Sequence, residues 1–139
     1  VIGACGDSAE VSAKQKLADR LLPQVAAAES DAAAAQAASA TNPDRAAALT
    51  VIADERTVHA QALTEEITRL DSGRAKTASS SAAPSPAPAT PPTIDQLRTQ
   101  LTVSARSAGD LAVEMDGYVA GLLGSISAGT TTAVAVQLP

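Results

Sequence analysis

The amino-acid sequence predicts an all-α protein: a four-helix bundle of two helical hairpins joined by a long Pro-rich crossover. Three observations lead there. Apolar residues recur at helical spacing, most clearly Leu49, Ile52, Leu63, Ile67 and Leu70. The apolar residues are almost all Ala, Leu, Val and Ile, with no Phe, no Trp, one Tyr and one Met. A Ser/Ala/Pro-rich stretch at 72–92 then divides the chain into two periodic halves. Alanine buries little area, but it is the best helix former and lets helices approach closely. A β-sandwich would need aromatic and β-branched runs, which are scarce outside the C-terminal end.

The second helix, Asn42–Leu70, is the clearest. Asn42 is placed to cap it, Pro43 suits its first turn, and Asp44 faces the positive end of its dipole. Gly73 is the expected stop, with Arg74 and Lys76 just beyond. Before it, Ser8–Ala40 reads as a long helix with Asp7 or Ser8 at its start and a stripe of Val11, Ala18, Val25, Ala32 and Ala35. Pro23 is expected to kink or divide it near Asp19–Leu22. The 72–92 segment cannot be a helix interior and suits an extended path along the bundle. Thr93 and Gln96 form a capping box for the third helix, whose face is Ile94, Leu97, Leu101, Ala108, Leu111 and Met115. Asp116-Gly117 ends it. Tyr118–Leu138 is the fourth, with Leu122, Ile126, Gly129, Ala133 and Val136 on one side. The organisation is thus 1–7 tether, 8–71 first hairpin, 72–92 connection and 93–139 second hairpin, with 8–139 one domain.

Composition excludes several functions. The net charge is −5 and no segment carries a dense basic run, so no nucleic-acid partner is expected. One Cys leaves no internal disulfide and no Cys-based zinc site. Gly, Ser and Thr dilute Tyr118–Leu138, so no bilayer-spanning helix is expected. Ser125 lacks a nucleophile-elbow pattern, and no Gly-rich phosphate loop follows a strand. No catalytic residue, metal ligand set or cofactor is assigned.

Ile2, Gly3 and Ala4 followed by Cys5 resemble the lipobox of bacterial lipoproteins. The resemblance implies lipid attachment at Cys5 and contact with a membrane surface through its acyl chains. It also implies a place on the outer (periplasmic) face of the cytoplasmic membrane. Each buried CH₂ would contribute about 0.8 kcal/mol, and two or more chains anchor stably. Lys14, Lys16 and Arg20 lie close enough to meet anionic headgroups or simply to face solvent.

Two helical pairs with a long connection between the second and third helices resemble the ferritin-like architecture. More narrowly, Asp54-Glu55-Arg56 and Arg69-Leu70, with Gly121-Leu122-Leu123-Gly124-Ser125-Ile126, look like ferritin-like lipoproteins of actinobacteria. The Ala-rich composition fits such bacteria. This resemblance implies an accessory, non-catalytic subunit on the outer face of a membrane protein complex, with the respiratory supercomplex of cytochrome bc and cytochrome oxidase the example in view. A di-iron bundle needs two Glu-x-x-His motifs. Here the chain has one His, and Glu55 precedes His59 by one residue too many.

Arg56 and His59 interrupt the apolar stripe of the second helix and are expected to form a buried polar layer. Arg56 should pair with a carboxylate, and His59 with a neighbouring helix through Glu29 or Glu114. Glu65-Glu66 reads as a solvated face. Two alternatives stay open: a degenerate ferritin-like metal-binding oxidase using Glu55, His59 and carboxylates of other helices, and a bundle that binds a small ligand between its Ala-lined helices.

Overall fold

The computed structural model describes residues 4–74, 76 and 87–139, with side chains from Ser8 onward. Among them the chain is all-helical. Four long helices, α1 (Ala4–Thr41), α2 (Ala46–Leu70), α3 (Ile94–Glu114) and α4 (Gly117–Gln137), form a helical bundle. The path of 77–86 lies outside the described residues, as do Val1–Gly3 and the side chain of Cys5.

Each helix touches two others. α1 packs on α2 and α3, and α4 packs on the same two from the opposite side. Hydrogen bonds fix the directions. Arg56 reaches Asp31 and Arg74 reaches Asp19, so α2 runs against α1. Gln24 meets Ser107 and Ser30 meets Gln100, so α3 also runs against α1. Ser127 donates to the Ala105 carbonyl and Arg98 to the Leu138 carbonyl, so α4 runs against α3 and hence against α2, which Arg56 ties to it through Thr130. The end of α2 and the start of α3 therefore lie at opposite ends of the bundle.

Two apolar clusters fill the interior. One gathers Leu21, Val25, Leu63, Ile67, Leu111, Val119, Leu123 and Ile126. The other gathers Leu49, Ile52, Leu97, Leu101 and Leu138 with Ala34, Ala35, Ala38 and Ala53. Fully burying a Leu or Ile contributes about 1.5–3 kcal/mol, several times what Ala contributes. The few large aliphatic residues thus carry most of the apolar stabilisation, and Ala sets the close spacing between them. Gly109 does the same between α3 and α4: a Cβ there would stand 2.9 Å from Ser127 Oγ.

Several elements differ from the sequence expectation. α1 begins at Ala4 rather than Ser8, so the backbone of Cys5 lies in its first turn, and Pro23 does not divide it. A proline inside a helix costs about 3 kcal/mol. Ala18, Leu21, Val25 and Ala28, all buried on either side of Pro23, outweigh that. Asn42 does not cap α2. Its side chain donates to the Ala38 carbonyl and closes α1 instead. Pro43–Arg45 then forms a 3₁₀ turn before α2. The stop of α2 is Asp71, not Gly73. Its N–H bonds the Ile67 carbonyl, and its carboxylate accepts from the N–H groups of Gly73 and Arg74. The capping box of Thr93 and Gln96 is present in both directions. Gly117 opens α4 with φ of 57°, a left-handed conformation that suits glycine.

The apolar stripes shift at their ends. Val11 and Val136 are exposed, and the buried face of α4 is Val119, Leu123, Ile126, Thr130 and Ala133. By length and composition alone, α4 is apolar enough to cross a membrane. Core helices pass the same test, but only 28% of the most apolar window of α4 is covered by the rest of the bundle. The helix carries no charged residue.

Replacing Leu63, fully buried between helices, with Ala should lower the unfolding free energy by about 2–5 kcal/mol in a urea titration. Gly121→Ala should instead raise it by about 0.5–1 kcal/mol, because no described residue lies within 4 Å of the added methyl group.

Candidate functional site

The two apolar clusters are separated by one polar layer, and all four helices contribute to it. At its centre is the Arg56 guanidinium on α2, only 3% exposed. Nε and Nη2 bond Asp31 Oδ2 on α1 at 3.0 and 2.9 Å. Nη1 donates to Thr130 Oγ1 on α4 and to His59 Nδ1 on its own helix, both at 3.0 Å. Asp31, itself 1% exposed, accepts a further bond from Gln100 Nε2 on α3 at 2.8 Å and one from Ser104. A buried ion pair is tolerable only when its remaining donors and acceptors are satisfied in this way.

Arg56 and His59, the two polar residues in the apolar stripe of α2, both lie in the layer, but the partners of His59 differ from those expected. His59 does not reach Glu29 or Glu114; its neighbours are Arg56 and Glu55, one turn back on α2. Glu114 instead pairs with Arg20 across the α1–α3 seam. Glu66 was expected in solvent, yet its side chain is 3% exposed and bonds Arg69.

Asp31, Gln100, Ser104 and Thr130 were not singled out from sequence. The signal was there for three of them, Ser104 standing three residues after Leu101 and four before Ala108 on the buried face of α3. Asp31 stands three residues after Ala28 and four before Ala35, on the buried stripe of α1. Thr130 stands four after Ile126 and three before Ala133. A polar residue at core spacing marks an interhelical bond, just as Arg56 did.

The electrostatics follow from burial. Burial pushes the Asp31 carboxyl above its ordinary range, while Arg56 and the Gln100 and Ser104 donors pull against it. Glu55 is raised by burial too, with Arg56 opposing. His59 is lowered to about 4, first by burial and then by the neighbouring guanidinium. It is therefore neutral at physiological pH. A guanidinium only donates, so Nδ1 is the bare nitrogen and Nε2 carries the hydrogen. Glu55 Oε1 lies 3.8 Å from Nε2, beyond hydrogen-bond distance. Gly129 of α4 makes room for both, since a Cβ there would lie 2.7 Å from Glu55 Oε1.

Among the described residues, no group of three or more His, Cys, Asp or Glu side chains is placed to hold a metal ion. The cation in the middle of the bundle is the guanidinium itself. A solvent-open groove of about 990 Å³ runs along α3 beside α1, lined by Arg20, Gln24, Arg106, Ser107, Asp110 and Glu114 among others. Its floor reaches the core residue Leu111, but it shares no residue with the polar layer.

Arg56→Met should cost about 3–5 kcal/mol of unfolding free energy, because it strands the Asp31 carboxylate away from water. Adding Asp31→Leu should return most of that loss. Urea titrations of the two single variants and the pair would measure the coupling.

Comparison with protein-family models, with curated proteins and with solved structures finds no match for this chain.

Proposed function

We propose that the chain is a non-catalytic, lipid-tethered helical bundle that binds the outer face of a membrane protein complex. In this reading Cys5 carries the acyl chains, and the bundle stands on the periplasmic side of the cytoplasmic membrane. The fold is ferritin-like in topology: two antiparallel pairs, with the long connection joining opposite ends of the bundle. A respiratory complex is the partner that the sequence resemblance suggests.

The observation that carries the reading is α4. It offers 21 residues without a charge, and much of its surface is uncovered. Tyr118 and Val136 stand 68% and 64% exposed at its two ends. A surface of that kind suits contact with another apolar surface better than with water. The polar layer fits the same reading. Where a di-iron bundle gathers carboxylates around exchangeable ions, this bundle holds one fixed guanidinium. Arginine keeps its charge at any ordinary pH and changes no redox state.

Two measurements on the full-length protein in a host that processes lipoproteins would test this. Radiolabelled palmitate should enter the wild-type protein and not Cys5→Ser. A mild-detergent pull-down should recover the protein with integral membrane subunits in fixed stoichiometry. Label that persists in Cys5→Ser would remove the tether, and recovery as a lone monomer would remove the complex. Stoichiometric iron or manganese in natively purified protein, lost on His59→Ala, would replace this reading with the metal-dependent oxidase.

A further inference from the structure

The His59 side of the polar layer is built differently from the Asp31 side. Toward α1 and α3, the charge of Arg56 is met by a carboxylate with two further donors on it. The remaining nitrogen of Arg56, Nη1, is met by neutral acceptors alone, Thr130 Oγ1 across the seam on α4 and His59 Nδ1 one turn along α2 itself. Acid leaves the hydroxyl as it is, but it converts His59 Nδ1 from acceptor to donor. Two donors would then face each other at 3.0 Å, each on a cation.

The groups around His59 can be taken helix by helix. From α2 they are Arg56 and Glu55. α4 presents Thr130 and Gly129 and has no ionisable side chain below Tyr118 at its far end. From α1 comes Asp31, whose charge is already taken up by Arg56. α3 contributes only the neutral Gln100 and Ser104, both bound to Asp31. Among the described residues, Glu55 is the carboxylate paired with His59, its Oε1 standing 3.8 Å from Nε2. The seam between α2 and α4 is also thin. α4 packs more extensively on α3 than on α2, and among the described residues Arg56 to Thr130 is the buried hydrogen bond across the seam.

We propose that Arg56, His59 and Thr130 form an acid-released latch between α2 and α4, which opens when His59 takes a proton and frees the α2-facing side of the uncharged helix α4. The direction follows from proton linkage. In an opened bundle His59 titrates near its free value of about 6.5, and in the closed bundle near 4. Between those values the open state holds a proton that the closed state lacks, so lowering the pH favours opening. The closed state has its full advantage above about pH 6.5 and loses it as pH falls toward 4. From pH 7.5 to pH 5 the opening equilibrium should rise on the order of 10–30-fold.

Amide hydrogen exchange on the full chain, corrected for intrinsic rates, would read this out. Protection around 126–133 of α4 should drop on the order of 10–30-fold at pH 5 while the α3 amides around Leu101–Ala108 keep theirs. In His59→Gln the drop should vanish, because an amide oxygen can accept from Arg56 at every pH. Equal loss across all four helices, or a drop that persists in His59→Gln, would overturn the latch. If the variant does not fold, the wild-type protein still decides the matter, because its one His gives a single imidazole signal. A nitrogen-15 titration should find the Nε2–H tautomer and protonation well below pH 5.5. Protonation at pH 6 or above would overturn the proposal.

Discussion

A charge in the middle of an aliphatic bundle constrains everything around it. Arg56 has donors in a fixed planar fork, and each needs an acceptor at a set distance and angle. Asp31, Thr130 and His59 supply them, and Gln100 and Ser104 hold Asp31 in place. Sliding any helix by a turn, about 5.4 Å, would strand at least one of these groups in the interior. Apolar contacts between Ala-rich surfaces give no comparable penalty, because one Ala fits a groove much as the next does. The layer therefore assigns the register of helices that their cores alone would leave loosely determined. Uses of buried polar groups to fix register are known in coiled coils, at some cost in stability.

The large aliphatic residues divide accordingly. Leu63, Ile67 and Leu123 lie on one side of the layer, and Leu49, Ile52, Leu97 and Leu101 on the other. Each cluster is small, and neither contains an aromatic ring. Ion pairs such as Arg20–Glu114 and Arg74–Asp19 tie the rim but are partly exposed, and such pairs contribute about 0–1 kcal/mol. Most of the stability must come from the two clusters, and most of the specificity from the plane between them.

How much of this was legible in the sequence depended on which interactions are local. The capping box of Thr93 and Gln96 involves neighbours in the chain, and it could be read directly. So could the helical spacing of Leu49, Ile52, Leu63 and Ile67. Asn42 misled because its side chain can serve either the helix before it or the one after, and only the geometry of the turn decides. Pro23 misled because the local rule against interior proline ignores the packing of Leu21 and Val25. At the candidate site, Arg56 and His59 stood out as large polar residues in an apolar stripe. Asp31 and Thr130 did not, because Ala and Thr flank them and blur the stripe. Ser104, at core spacing between Leu101 and Ala108, was blurred in the same way, and Gln100 left no trace, since its role depends on where α1 places Asp31.

The weakest of the four helices is also the one with most to gain from the layer. Among the described residues, nothing stands where a side chain at Gly121 or Gly124 of α4 would project. Interior glycines cost a helix roughly 0.8–1 kcal/mol each relative to Ala, and no contact within the bundle repays that here. An isolated segment of this composition would be a poor helix in water. It is held by Val119, Leu123, Ile126 and Ala133 against the core, and by Thr130 against Arg56. Any event that weakens the Arg56–Thr130–His59 contact is therefore felt first in α4 and last in α1, whose Asp31 keeps its salt bridge. That asymmetry makes α4 the element by which the bundle would respond to its surroundings, whether these are a neighbouring subunit, an apolar phase or a change in pH.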